Sequence, residues 1–405
     1  MPACSKWQIT LILALMSVQY PLQLMMSMSA LASSTFACEW LKSASENLNL
    51  SSNQKQVLNE LPQVVSQQAR KKYQSLLSAV ENYSSHPRPK DRLKGRAVWH
   101  KGNIKLLDLG RDMPVATEAY ALLVPSLINR YYILDLSEER SFVQYLREQG
   151  IYPLVLDWDD PGEVESGYDM ADYVTEALLP ALAFASRTTG SPVHLLGYCL
   201  GGLLSLAATQ LAPEDVASLT LLATPWDFKS KDTLSPTLND MQLAWVKQQM
   251  LSEPTLHPMM LEWLFMFRQP FAFEQKFTRL AERDDPEELE EFIQVEQWVN
   301  DNVPMASPAA VDCLIHWAQR NDLYRGKWEV AGEVIDPSII EPPNFVAIPE
   351  RDTIVPKQCA EALLELLPDA EACYPHTGHV GMMVSRNARE ELWEEYVDFV
   401  LHRST

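Results

Sequence analysis

Cysteine is scarce and unpatterned in this sequence: six residues, at positions 4, 38, 199, 313, 359 and 373. They have neither the density of a disulfide scaffold nor the close pairs of a zinc site. The expectation is therefore mostly reduced thiols in an intracellular protein, with no metal. Basic residues are also few. Lys and Arg number 33 against 54 Asp and Glu, a net charge of -21, which argues against binding nucleic acid or an anionic membrane through bulk electrostatics. No internal repeat or low-complexity tract is evident, and no apolar run is long enough to span a bilayer as a helix. What is present is a chain of 405 residues, 47% hydrophobic and 21% charged. That is the balance of a folded soluble protein, either one large domain with an insertion or two domains.

Along the chain, Lys6 precedes an apolar run over 7–18, and Ala30-Leu31-Ala32 resembles a signal-peptidase site. Segment 1–38 is thus either an export signal or the result of a start assigned too early, with Met25, Met26 or Met28 the first residue. Residues 39–95 read as a helical arm broken at Pro87 and Pro89. Strands are expected at 104–107, 120–124 and 152–158. A helix between the last two is expected to be N-capped by Ser137 and stopped at Gly150. A second helix is expected over 169–186 with a kink at Pro180, then strands at 193–196 and 219–223 with a helix between them. This alternation predicts an α/β core with a mostly parallel sheet and helices on both faces, its first part at 96–225. Residues 226–343 carry no clear strand signal but are rich in Trp, Phe and Met, among them Trp245, Met259, Met260, Trp263, Phe265, Phe267, Phe271, Phe273, Trp298 and Trp317. They read as a helical cap insertion whose aromatics mainly pack its own core. The core resumes at 344–405, with strands at 345–348 and 370–374 and a closing helix over 388–401.

The chemistry gathers around Leu195-Leu196-Gly197-Tyr198-Cys199-Leu200-Gly201-Gly202. A buried strand, a Gly-x-Cys-x-Gly turn and a helix form the setting of a nucleophile elbow, with Cys where hydrolases carry Ser. Taken alone the pentapeptide is a weak motif, since free Cys is among the most buried residue types. Its partners downstream make it specific. An α/β-hydrolase places the acid after a late strand and the histidine after the last, and Asp352 and His379 stand at those points. Glu350 is a rival carboxylate and His376 a rival base, and Asp352 also suits a turn. The expected oxyanion donors are the backbone N–H of Leu200 and that of Ile128, in the loop 125–129.

These residues resemble the polyhydroxyalkanoate synthases. The resemblance lies in Gly197-Tyr198-Cys199-Leu200-Gly201-Gly202, in the run Val124-Pro125-Ser126-Leu127-Ile128-Asn129-Arg130-Tyr131-Tyr132-Ile133-Leu134-Asp135-Leu136, in Asp157-Trp158-Asp159-Asp160-Pro161, and in Trp298-Val299-Asn300-Asp301-Asn302-Val303-Pro304. It extends from about residue 95 to the C-terminus. Thr377-Gly378-His379-Val380 departs mildly from the usual pattern, and Asp159-Asp160 departs in the middle of its motif. The resemblance implies an α/β-hydrolase fold and an acyltransferase that polymerises (R)-3-hydroxyacyl units from CoA, releasing CoA through an acyl-Cys199 intermediate. Asp352 would orient His379 or activate the chain hydroxyl. No cofactor is implied. The implied partners are 3-hydroxyacyl-CoA, the growing polyester or granule surface, and either a homodimer mate or a second synthase subunit. A cytoplasmic location follows from the substrate, with export the alternative if 1–38 is a genuine signal. The competing functions are a Cys-nucleophile thioesterase or depolymerase, and a non-catalytic granule-associated subunit.

Overall fold

The computed structural model describes residues 95–230, 240–258, 285–367 and 369–403, with single positions at 67, 71, 74, 77–81, 83, 260, 276 and 280. The apolar segment 1–38 and nearly all of the arm over 39–95 lie outside the described residues. So do 231–239 and 261–275 of the expected insertion, and with them the side chains of Trp263, Phe265, Phe267, Phe271 and Phe273. The chain divides into two compact units, Met1–Arg88 with Trp263–Asn300, and Pro89–Glu262 with Asp301–Thr405.

The second unit holds eight strands in one sheet: β1 (Arg96–Lys101), β2 (Ile104–Asp108), β3 (Ala119–Val124), β4 (Ile151–Asp157), β5 (Val193–Tyr198), β6 (Val216–Leu222), β7 (Asn344–Ala347) and β8 (Glu371–Cys373). Their order is β1-β2-β4-β3-β5-β6-β7-β8. The β1–β2 and β2–β4 pairings are antiparallel and all later ones parallel. Every residue of β5 is buried, so both faces of the sheet are covered at its centre, as continuous apolar runs in parallel strands require. Register brings the strand ends level: Val124 of β3 lies opposite Gly197, and Gly197 opposite Leu221 of β6. Crevices at the carboxyl ends of such strands are where open α/β sheets place their sites.

Local chemistry sets the helices. Helix α1 (Phe142–Glu148) is capped by Ser141, whose Oγ accepts from the N–H of Gln144 at 2.8 Å, and not by Ser137. Ser141 also donates to Asp135 Oδ1 at 2.7 Å across an isolated bridge, which spends the intervening residues in a turn and delays the helix. Gly150, at φ +83°, follows the end of α1 as expected. Helix α2 begins at Asp169, whose carboxylate accepts from Asp172 N–H in a capping box, and continues as Met170–Asp172, a π turn Tyr173–Leu178 and Leu179–Thr189. The π turn, in which Leu179 N–H bonds to Val174 O, precedes Pro180 and absorbs the kink that its missing donor demands. Helix α3 (Leu200–Leu211) follows β5 directly.

In the expected insertion, helix α4 spans Asp240–Ser252, helix α5 Pro286–Asn300, and helix α6 runs from Ser307–Val311 into a π turn Asp312–Trp317. Two ladders that the pattern did not announce join Thr255–Leu256 to Met305–Ala306 and Glu329–Val330 to Glu333–Val334. Each strand has only two residues, too few to show a period. Trp317 is buried and edge-on to Trp328, with ring centroids 5.3 Å apart, which fits a packing role. In the first unit, α5 buries Ile293, Glu296 and Trp298, and Lys276 pairs with Glu296. A π turn Arg389–Trp393 leads into the closing helix α7 (Glu394–Arg403). Among the described residues no helix is long and apolar enough to cross a membrane.

Candidate active site

The elbow at the end of β5 depends on glycine for space. A Cβ on Gly197 would lie 2.4 Å from the Cα of Gly202, and one on Gly201 would lie 2.2 Å from Val124 O and 2.5 Å from Pro125 O. One on Gly202 would fall 2.0 Å from Thr224 Oγ1. Helix α3 therefore starts in direct contact with the end of β3. Between the glycines Cys199 holds φ 56° and ψ -119°, a strained conformation that its neighbours enforce: its N–H donates to Leu222 O at 2.8 Å and its C=O accepts from Gly202 N–H at 3.0 Å. Gly201→Ala forces a methyl against two backbone carbonyls that cannot retreat. The expected result is a loss of about 2 kcal/mol or more of stability, read as a lowered thermal midpoint.

Asp352 follows β7. Its Oδ1 accepts from the N–H groups of Ile354 and Val355, both at 2.8 Å, so it is a turn residue. Its Oδ2 lies 2.6 Å from His379 Nδ1, so it also holds the imidazole, and one carboxylate performs both tasks. His379 arrives on the loop after β8. That loop is zipped to the Asp352 loop by Glu350 N–H on Pro375 O and Arg351 N–H on Thr377 O, both at 2.9 Å. Buried Tyr198 donates to His379 O at 3.2 Å and sets its ring 5.2 Å from the imidazole. With Nδ1 committed to Asp352, Nε2 is left for the Cys199 thiol, which stands within hydrogen-bonding reach of the ring. All three groups are buried: Cys199 is 7% exposed, Asp352 7% and His379 8%.

Burial by itself would push the His379 imidazolium down. The Asp352 carboxylate first, and then Cys199, outweigh it and hold the imidazolium well above the ordinary histidine range. Burial, with the same two groups adding to it, drives the Tyr198 phenol well up, which keeps it a neutral donor. Cys313, Cys359 and Cys373 are held as thiols. Burial first, then nearby acidic groups, raise Cys313 far above its usual value and Cys373 to about 12, while burial lifts Cys359 to about 12 against a backbone N–H from Trp226.

The rivals pair with each other on the surface. His376 Nδ1 lies 2.6 Å from Glu350 Oε2, Arg351 contacts the other ring nitrogen, and the His376 and Glu350 side chains are 60% and 40% exposed. His376→Gln is expected to leave turnover within about twofold of wild type, since an exposed pair of this kind is worth little. Leu200 is the first residue of α3, so its N–H has no partner inside the helix. The Ile128 N–H faces Ser126 Oγ at 3.4 Å, a weak contact. A residue that pattern reading did not assign is Trp158, 5% exposed, whose Nε1–H donates to Pro125 O at 2.9 Å. Its marks in the sequence were its place at the end of the strand expected over 152–158 and in the motif over 157–161. No cluster of three or more metal-ligating side chains occurs among the described residues.

Residues 158–385 match the profile of the alpha/beta hydrolase fold, and residues 89–146 that of the poly-beta-hydroxybutyrate polymerase (PhaC) N-terminus. The chain is similar to the poly(3-hydroxyalkanoate) polymerase subunit PhaC of Haloferax mediterranei, 29% identical over 312 residues, covering 76% of this chain and 63% of that one. The protein of the same name from Haloarcula marismortui is 29% identical over 299 residues, covering 73% and 62%. That from Allochromatium vinosum is 29% identical over 306 residues, covering 73% and 85%. The chain thus spans less than two thirds of the length of the first two relatives.

Proposed function

Since this chain belongs to the α/β-hydrolase fold family and, within it, to the polyhydroxyalkanoate synthases, we propose that it is an acyltransferase that polymerises (R)-3-hydroxyacyl units from CoA thioesters. The observation that carries the reading is a cysteine, not a serine, at the strained elbow, within reach of an imidazole that Asp352 grips at 2.6 Å.

With its proton held on His379, the Cys199 sulfur attacks the thioester carbonyl, whose oxygen takes the developing charge between the N–H groups of Leu200 and Ile128. CoA leaves as its thiol, taking the proton from the imidazolium. One thioester has replaced another, so the step is nearly balanced in bond energy. The hydroxyl of a second acyl unit then gives its proton to His379 and attacks acyl-Cys199. An oxoester forms, the Cys199 sulfur is released, and the chain is one unit longer. Asp352 holds the ring in the tautomer that both steps use, and the chemistry calls on no cofactor. Water competes with the hydroxyl, and the near-complete burial of the three groups supports its exclusion. The partners are the acyl-CoA, the growing polyester at a cytoplasmic granule, and a second copy or a second synthase subunit.

Folding raises the His379 imidazolium from 6.5 to about 10, so its ionic contribution is present in full below 6.5 and lost as pH rises through 10. Turnover should fall on the alkaline side as the imidazolium that protonates CoA disappears. Asp352→Asn removes the supporting carboxylate and should move that limb of the kcat/KM profile to lower pH. An unmoved limb would contradict the assignment.

Incubation with 3-hydroxybutyryl-CoA, following thiol release and product solubility together, tests the function. Thiol release with insoluble polyester supports it. Thiol release with free 3-hydroxybutyrate indicates a hydrolase, and neither product indicates a non-catalytic subunit.

A further inference from the structure

The loop after β3 is held by more contacts than its length requires. At its start Pro125 O takes the Trp158 bond. At its end Ile128 O accepts from Val303 N–H at 3.1 Å, while Asn129 and Asn302 form an isolated antiparallel bridge and Asn129 Nδ2 donates to Asn302 Oδ1 at 2.7 Å. One residue on, the Arg130 guanidinium reaches Asp159 at 2.9 Å, Asp160 at 2.7 Å and Asp301 at 3.6 Å. Lys105 holds the other oxygen of Asp159 at 2.8 Å, and the Tyr132 hydroxyl donates to Asp301 at 2.8 Å. Asp159 and Asp160, the residues that depart from the family pattern, are thus the carboxylates that seat Arg130.

Stability is a weak reason for this convergence. The Arg130 side chain is 22% exposed and that of Asp160 54%, and partly exposed ion pairs contribute little. Geometry is a stronger one. Ile128 lies between the Trp158 tether on Pro125 O and the Val303 bond on its own C=O, so the chain is pinned on both sides of the peptide that carries its N–H. An oxyanion donor needs such fixing, because its value lies in being in place before charge develops.

We infer that Asn302 is a positioning residue for the Ile128 N–H: with Val303 it pins the chain immediately after the N–H that faces the acyl oxygen, while the Arg130 cluster fixes the adjoining turn. The inference rests on the reading of Ile128 as an oxyanion donor in acyl transfer at Cys199. Asn302 touches neither substrate nor sulfur. It acts through Asn129 and Ile128.

Asn302→Leu keeps the side chain's size and removes the acceptor. The kcat for CoA release from 3-hydroxybutyryl-CoA should fall about 10- to 100-fold with KM within about twofold, the cost of a donor displaced by a fraction of an ångström. Alkylation of Cys199 by iodoacetamide builds no oxyanion and should proceed at the wild-type rate. Asn302→Asp, which keeps an oxygen for the Asn129 amide, should recover most of the turnover. Wild-type kcat in Asn302→Leu overturns the inference, as does an equal loss of turnover and alkylation, which would mean general collapse of the site. Should that variant not fold, Asn129→Leu removes the same bond from the other side and is read identically. Failure of the functional reading looks different: the unsubstituted protein would then release CoA with free 3-hydroxybutyrate, or release no CoA at all.

Discussion

Cys199→Ala is expected to abolish CoA release from 3-hydroxybutyryl-CoA, a loss on the order of 10⁴-fold or more, while the thermal midpoint stays within a few degrees of wild type. The size of the loss follows from covalency. Without the sulfur there is no acyl carrier, and the oxyanion donors alone cannot replace a nucleophile. The small structural effect follows from the site. Cys199 at φ 56° is held by Leu222 O and Gly202 N–H through its backbone, and alanine keeps both bonds. The loss should be specific to this cysteine. Cys373, whose thiol donates to Glu391 O at 3.2 Å and is held protonated by burial, should tolerate alanine with turnover intact. Undiminished CoA release from Cys199→Ala would remove the proposed nucleophile.

His379→Gln should be the second most damaging change, lowering turnover by about 10³-fold or more, because it removes the proton acceptor from both acyl-transfer steps. Glutamine keeps a polar group for Asp352 but cannot take a proton from the sulfur, so iodoacetamide labelling of Cys199 should slow in parallel. The comparison with His376→Gln makes the test sharp. Both histidines bond a carboxylate at 2.6 Å, yet one pair is buried and the other lies open to water. A larger loss from His376→Gln than from His379→Gln would reverse the choice of base.

The elbow was legible because space is written into sequence: Gly197, Gly201 and Gly202 sit where any Cβ would strike backbone or Thr224. The central strands were legible because burial on both faces demands unbroken apolar runs. Strand β1 was not, since Arg96–Lys101 is an edge strand, largely exposed or half-buried, with a register irregularity between Ala97 and Trp99 that blurs alternation. The cap of α1 was misread for a related reason. Ser137 and Ser141 are equally good caps in isolation, and the choice was made by Asp135, which draws Ser141 into its bridge. The π turns at Tyr173–Leu178 and Asp312–Trp317 leave no periodic trace, though Pro180 marked where the first was needed. The contest between Asp352 as turn residue and as acid partner dissolved once its two oxygens were seen to serve different donors. The tether beside Ile128 was invisible for a simpler reason: Asn302, the partner of Asn129, lies 173 residues further along the chain, and pairing at that range has no local pattern.

The sulfur's role as acyl carrier is tested most directly by quenching the protein with acid during turnover of 3-hydroxybutyryl-CoA and sequencing its peptides by mass spectrometry. The account predicts hydroxybutyryl units in thioester linkage on the peptide containing Cys199, labile to hydroxylamine and absent from Cys199→Ala. Acylation found instead on Cys313, Cys359 or Cys373, or turnover with no acylated cysteine at all, would contradict it.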